Sequence, residues 1–209
     1  MTGEKIGKEY YNGELIFEGI YSKGKRWSGE GKEYNTNNIL KFEGEYYEGE
    51  KKGKEYNLKG ELIFEGEFLK GRRNGEGKEY FSNGILKFEG SYLNGQRNGR
   101  GKEYYDNGKL KFIGIFLNGR RNGKGKEYFK KYHVLKFEGK YLNGKRNGRG
   151  KEYYLKYGNL KYEGKYLNDK RDGRGREYYY LQLIYEGEYR DGKKFEEFDN
   201  GNIIGNKSI

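Results

Sequence analysis

Carboxylates and guanidinium groups recur in this chain at fixed spacing, and two kinds of chemistry could come from them. Glu79, Glu103, Glu127 and Glu152 share one phase, and Glu89 and Glu138 another. Two such carboxyls on either side of a reacting bond could act as general acid and base. The basic stretches Gln96-Arg97-Asn98-Gly99-Arg100, Arg120-Arg121-Asn122-Gly123-Lys124, Lys145-Arg146-Asn147-Gly148-Arg149 and Lys170-Arg171-Asp172-Gly173-Arg174 hold one phase of successive segments. Stacked, they would form a ridge of Arg97, Arg100, Arg121, Lys124, Arg146, Arg149, Arg171 and Arg174. A ridge like that concentrates anions. Acidic lipid head groups, nucleic-acid phosphates or an acidic protein face would suit it. The competing reading is that it only keeps the chain soluble.

Acid–base catalysis fares poorly against a simpler account. An active site is a unique constellation, whereas these carboxylates return in every segment and alternate with Lys and Arg. Across paired strands, opposite charges contribute a few tenths of a kcal/mol each. His133 is the only histidine and there is no cysteine. No catalytic triad and no persuasive transition-metal site can be assembled from that set, and no cofactor is expected. Trp27, the single tryptophan, reads as a cover for the end of a sheet, with an exposed partner anchor as the alternative.

The elements that carry these groups repeat. Phe/Tyr-x-Gly recurs with its ring at Phe17, Phe42, Phe64, Phe88, Phe112, Phe137, Tyr162 and Tyr185, in steps of 22 to 25 residues. Gly-Lys-Glu-Tyr follows in phase, its basic residue being Lys8, Lys32, Lys54, Lys78, Lys102, Lys126, Lys151 and, as arginine, Arg176. A fixed period of this length marks a repeat array. In the segment from Leu86 to Gly108, Leu86, Phe88, Gly90 and Tyr92 alternate with Lys87, Glu89 and Ser91, the period of a strand with one buried face. Asn94-Gly95 is a hairpin turn signal, and Gly99 to Tyr105 reads as the returning strand. A two-residue turn there sets Phe88 opposite Gly101 and Gly90 opposite Gly99, so the glycines read as seats for rings. The ring and glycine pairs are Phe42 and Gly44, Phe64 and Gly66, Phe88 and Gly90, Phe112 and Gly114, Phe137 and Gly139, and Tyr162 and Gly164. The expected fold is all-β: an elongated, twisted, single-layer, solenoid-like array of about eight β-hairpin repeats. One array fills residues 1–209, with repeats starting near 15, 40, 62, 86, 110, 135, 160 and 183. Residues 199–209 form a C-terminal cap or tail, where a shortened Lys193–Gly201 replaces the second anchor.

Hydrophobic residues are 32% and charged residues 36% of the chain, a balance near that of disordered segments. The 24 tyrosines and 12 phenylalanines offset it, implying a thin core made of rings. The net charge of +12 is uneven. Residues 1–70 hold 12 basic and 14 acidic side chains, and residues 71–209 hold 32 and 18. The start of the chain has no apolar stretch and cysteine is absent, which points to a cytoplasmic or other intracellular location, membrane-peripheral or within a larger assembly. Asn206-Lys207-Ser208 matches a glycosylation sequon, read as unused.

Tyr/Phe-Glu-Gly-x-Tyr, then x-x-Gly-x-x-x-Gly-x-Gly, then an Asp/Asn-Gly turn resembles the MORN repeat (membrane occupation and recognition nexus). The similarity is greatest to a variant with Lys-Glu-Tyr-Tyr in the second strand, as in bacterial YwqK-like proteins and large DNA viruses, and it runs from residue 7 to about 201. Three departures stand out. The first-strand ring is Tyr or Phe where many members have Trp. The hairpin Tyr46 to Gly53 is two residues short, and Trp27-Ser28-Gly29 replaces Arg-Asn-Gly. The resemblance implies a non-enzymatic scaffold that mediates protein–protein contact or self-assembly into a homo-oligomer. One alternative is an anion-binding module docking on acidic phospholipid membrane through the basic ridge. Specific nucleic-acid binding is disfavoured because the rings are committed to the fold. A second alternative, suggested only by the YwqK-like variant, is an antitoxin- or immunity-like inhibitor.

Overall fold

The computed structural model describes residues 3–195 and the backbone of 197–199 and 202–204. Every regular element in it is a strand: β1 Glu4–Tyr11, β2 Glu14–Ser22, β3 Lys25–Tyr34, β4 Leu40–Tyr47, β5 Glu50–Tyr56, β6 Leu62–Leu69, β7 Arg72–Tyr80, β8 Leu86–Leu93, β9 Gln96–Tyr104 and β10 Leu110–Leu117. Then follow β11 Arg120–Tyr128, β12 Leu135–Leu142, β13 Lys145–Tyr153, β14 Leu160–Leu167, β15 Lys170–Tyr179, β16 Gln182–Arg190 and β17 Lys193–Phe195. These 17 strands belong to one antiparallel sheet. Two short strands, β18 Glu197–Asp199 and β19 Asn202–Ile204, pair with each other. The expected cap therefore ends the sheet in a three-residue strand, β17; its Glu196, Asn200 and Gly201, like the sequon at 206–208, lie outside the described residues. The chain divides into two compact units. One runs up to Gly99 and includes Asp106–Gly108, and the other holds Arg100–Tyr105 and the chain from Lys109.

The hairpin turns follow from Asn-Gly chemistry. Leu117 pairs with Arg120 around Asn118-Gly119, and Leu142 with Lys145 around Asn143-Gly144. Both central residues of each turn have positive φ, which Asn and Gly tolerate. Each turn also hangs on the preceding hairpin. Gly95 N–H donates to the Arg73 carbonyl and Gly144 N–H to that of Arg121, each at 2.8 Å.

The register differs from the expected one by two residues, and the reason is a bulge. In β10–β11, Phe116 faces Arg121, but then Gly114 faces Gly125 and Phe112 faces Glu127. The same shift occurs in β12–β13 and β14–β15. The first glycine of the returning strand is therefore not a ring seat. Gly123, Gly148 and Gly173 occupy the bulge with φ of 75°, 85° and 86°, a conformation that glycine adopts without strain. The second glycine is the seat: a Cβ on Gly125 or Gly150 would collide with the ring of Phe112 or Phe137. In the hairpin Tyr46 to Gly53 the pairing runs unbroken from Phe42↔Glu55 to Tyr47↔Glu50, so its two missing residues are the bulge. In β2–β3 the extra residue is Trp27, where the register shifts by one. Trp27 is half-buried and lies against Gly49 of the next turn, whose N–H donates to the Trp27 carbonyl. It covers a neighbouring turn within the array.

The core is a zigzag of rings on one face of the sheet. In the first unit, Phe64 meets Phe68 at 5.3 Å and Tyr92 at 5.1 Å, edge to face. In the second, Phe137 meets Tyr141 at 5.5 Å and Tyr166 at 5.1 Å in the same way. Edge-to-face pairs contribute about 0.5–1.5 kcal/mol beyond the area they bury. Phe64, Phe112, Phe137 and Tyr162 are fully buried. Cationic and phenolic side chains on the ring face itself provide the cover.

Candidate functional site: two faces of one sheet

Guanidinium groups lie over the rings. Arg73 sits 4.4 Å from the Phe64 centroid, Arg97 and Arg121 4.2 Å from Phe88 and Phe112, Arg146 4.3 Å from Phe137, and Arg171 4.2 Å from Tyr162. Each also bonds a carboxylate of the preceding repeat: Arg73 to Glu55, Arg97 to Glu79, Arg121 to Glu103, Arg146 to Glu127 and Arg171 to Glu152. In the bulge-free hairpin Lys51 takes the place of Arg, over Phe42 and bonded to Glu33. Tyr92 donates its hydroxyl to Glu79 at 2.7 Å. Burial alone would raise the carboxyl pKa of Glu79, Glu127 and Glu152. The hydrogen bonds and charges of Arg97, Arg146, Arg171, Lys136 and Lys161 outweigh it and hold all three below the ordinary carboxylate range. Carboxylates so firmly ionised and already bonded are poorly placed to pass protons. They belong to a Glu–Arg–ring unit that closes the core.

The eight basic residues of the expected ridge therefore fall on two faces. Arg97, Arg121, Arg146 and Arg171 are on the ring face; the last three keep only 15%, 15% and 16% of their side chains exposed. Lys124, Arg149 and Arg174 precede the seat glycines Gly125, Gly150 and Gly175, so they point to the opposite, outer face, where they are exposed. Arg100 holds the equivalent position before Gly101 and is exposed as well. The cause is strand alternation: the two basic positions of each motif are three residues apart, an odd step that puts them on opposite faces, and the two-residue shift at the bulge leaves that parity unchanged.

The outer face carries two rows of charge. In the first, the strands alternate in sign: Lys126 faces Glu138, Glu138 faces Lys151, Lys151 faces Glu163, Glu163 faces Arg176 and Arg176 faces Glu186. Tyr153 and Tyr178 donate to Glu138 and Glu163 at 2.7 and 2.9 Å. The first unit has the same row, with Lys32↔Glu43, Lys54↔Glu65 and Lys78↔Glu89, and its Tyr56 and Tyr80 donate to Glu43 and Glu65. Burial, then the neighbouring carboxylate, pushes both of those phenols up to about 12.

The second row does not alternate. In the second unit it reads Lys124, Lys140, Arg149, Lys165, Arg174 and finally Glu188. Lys124 directly faces Lys140, and Arg149 directly faces Lys165. A groove of about 1260 Å³ runs along these residues, its floor formed by Gly125, Gly139, Gly150, Gly164 and Gly175. In the first unit the second row is acidic: Glu30 faces Glu45, Lys52 faces Glu67, and Glu76 faces Ser91. Lys140 and Lys165 lie outside the basic motifs singled out in the sequence. The signal was the residue after each Phe/Tyr-x-Gly, which reads Ile20, Glu45, Glu67, Ser91, Ile115, Lys140, Lys165 and Glu188.

His133 sits in a turn with φ of 55°, exposed, its ring stacked 5.2 Å from Tyr128. Among the described residues no three His, Cys, Asp or Glu side chains gather as metal ligands, and no helix is long and apolar enough to cross a membrane.

Repeated hairpins with a ring, a seat glycine, a bulge glycine and an Arg lid define an all-β repeat protein. The MORN repeat family model matches residues 64–85, 88–109, 112–134, 137–155, 162–180 and 185–194, more than half of the chain. The chain belongs to the MORN-repeat family. Repeats of this family are in general interaction modules for proteins and membranes, and the repeat type is non-enzymatic. No curated protein matches the chain.

Proposed function

We propose that this protein is a non-enzymatic scaffold that binds other proteins through the outer face of its sheet. The observation that carries this reading is the contrast between the two faces. The ring face repeats the same Glu–Arg–ring unit in both units of the chain, as a fold requires. The second outer row changes residue type from repeat to repeat, and from Lys124 to Arg174 it lacks the charge alternation that would stabilise it. Variation on an exposed groove is what recognition needs. The test is crosslinking in the native source, comparing the wild-type chain with a variant carrying Lys124, Lys140, Arg149 and Lys165 changed to Gln. Protein adducts that disappear in the variant support the reading; an unchanged adduct pattern contradicts it.

A second reading, docking on an acidic phospholipid surface, is favoured by the same cationic row. Vesicle sedimentation at rising salt separates the two. Binding that needs acidic lipid, falls with salt and is lost in the variant supports the membrane.

A further inference from the structure

The cationic row of the second unit has a geometry that specifies what fits it. Like charges directly opposite each other across strands destabilise a sheet, yet Lys124–Lys140 and Arg149–Lys165 are two such pairs in succession. Among the described residues, none of these four side chains has a carboxylate, hydrogen bond or ring as partner. The bulge glycines help to hold them there: a Cβ built on Gly148 lies 3.4 Å from the Lys140 stem, and one on Gly173 lies 3.0 Å from that of Lys165. Room at the bulge lets each stem lean across the strand that follows.

We propose that this row binds an acidic protein segment in an extended polyproline-type conformation, with a carboxylate at every third residue. The proposal rests on the protein-binding function above and names the partner's chemistry. Successive cation pairs are two strands apart, roughly 9.5 Å. A polyproline II chain advances about 9.3 Å in three residues and returns to the same face. One carboxylate then falls between Lys124 and Lys140, the next between Arg149 and Lys165, and a third reaches Arg174. The row is single-file. Beside it runs the first row with Glu138, Glu163 and Glu186, which a nucleic-acid strand or a flat membrane would press against its own phosphates. A narrow peptide avoids them.

The experiment is fluorescence anisotropy on the full chain with a labelled peptide of three Glu-Pro-Pro repeats. The comparison probes are a peptide of the same composition with its three glutamates adjacent, a nine-residue oligothymidylate, and vesicles containing phosphatidylserine. The spaced peptide binds best, and Lys140→Gln with Lys165→Gln weakens it about tenfold. The control pair Lys23→Gln with Lys59→Gln leaves it unchanged. Circular dichroism melting shows the double variant folded, since it relieves repulsion. Equal binding of the clustered peptide, tighter binding of oligothymidylate or vesicles through the same lysines, or no binding of the spaced peptide overturns the proposal. If native crosslinks still depend on the four cations while the spaced peptide is ignored, this inference alone fails and the scaffold reading stands.

Discussion

The two units carry opposite charge on the same architecture. Glu30, Glu45, Glu67 and Glu76, broken by Lys52, line the second outer row of the first unit, and Lys124, Lys140, Arg149 and Lys165 that of the second. On the ring face, by contrast, Glu55–Arg73–Phe64 in the first unit and Glu127–Arg146–Phe137 in the second are built alike. On the ring face a change of partner opens the core. The outer row tolerates either sign because exposed charges there contribute little to stability. What differs between the units is therefore the surface they present, and what they share is how they stand up.

That contrast can be broken on its shared side first. Phe64→Ala and Phe137→Ala should each cost about 3–5 kcal/mol, measured by urea denaturation, because each removes a fully buried ring. A large cost in one unit and a trivial one in the other would mean that the ring faces are not equivalent. Gly148→Ala, at φ of 85°, should cost about 1–3 kcal/mol.

Acid should act through the ring face as well. The carboxyls of Glu79, Glu127 and Glu152 have lowered pKa values in the folded chain. Their contribution is complete above the unfolded carboxylate pKa of about 4.3 and is lost as pH falls through the folded values. At the alkaline end, Tyr56 and Tyr80 are raised to about 12. Stability present below about pH 10 should fall as pH rises from there towards 12. Midpoints followed by tyrosine fluorescence and circular dichroism check both limbs.

The smallest effects sharpen the outer-row comparison. Glu30 faces Glu18 on one side and Glu45 on the other, so Glu30→Lys should stabilise by a few tenths of a kcal/mol. Lys140→Glu, opposite Lys124, should do the same in the second unit. Thermal melts of these variants should move slightly upward, and a fall in either would contradict the pairing.

Much of this was legible in the residues. Ring period, strand alternation and Asn-Gly turns give the hairpins, because side-chain alternation and positive φ are local physics. The register was not legible. A bulge is set by one glycine's backbone, and Gly99 and Gly101 look alike in a string of letters. The basic ridge was misplaced for a different reason: residues three apart on a strand point to opposite faces, so Arg146 turns to Phe137 and Arg149 to the outside. The cation row stayed hidden for a related reason, since Lys140 and Arg149 come from different motifs and meet only through pairing.

The central claim is that two arginines three residues apart do different work. Urea denaturation of Arg171→Gln and Arg174→Gln, side by side, tests it most directly. Arg171 lies over Tyr162 between Glu152 and Glu177, and its loss should cost about 3 kcal/mol by leaving two half-buried carboxylates short of a partner. Arg174, largely exposed beside Glu186, should change stability by less than about 0.5 kcal/mol. Equal losses at both positions would contradict the division between a ring face that holds the fold and an outer face that meets partners.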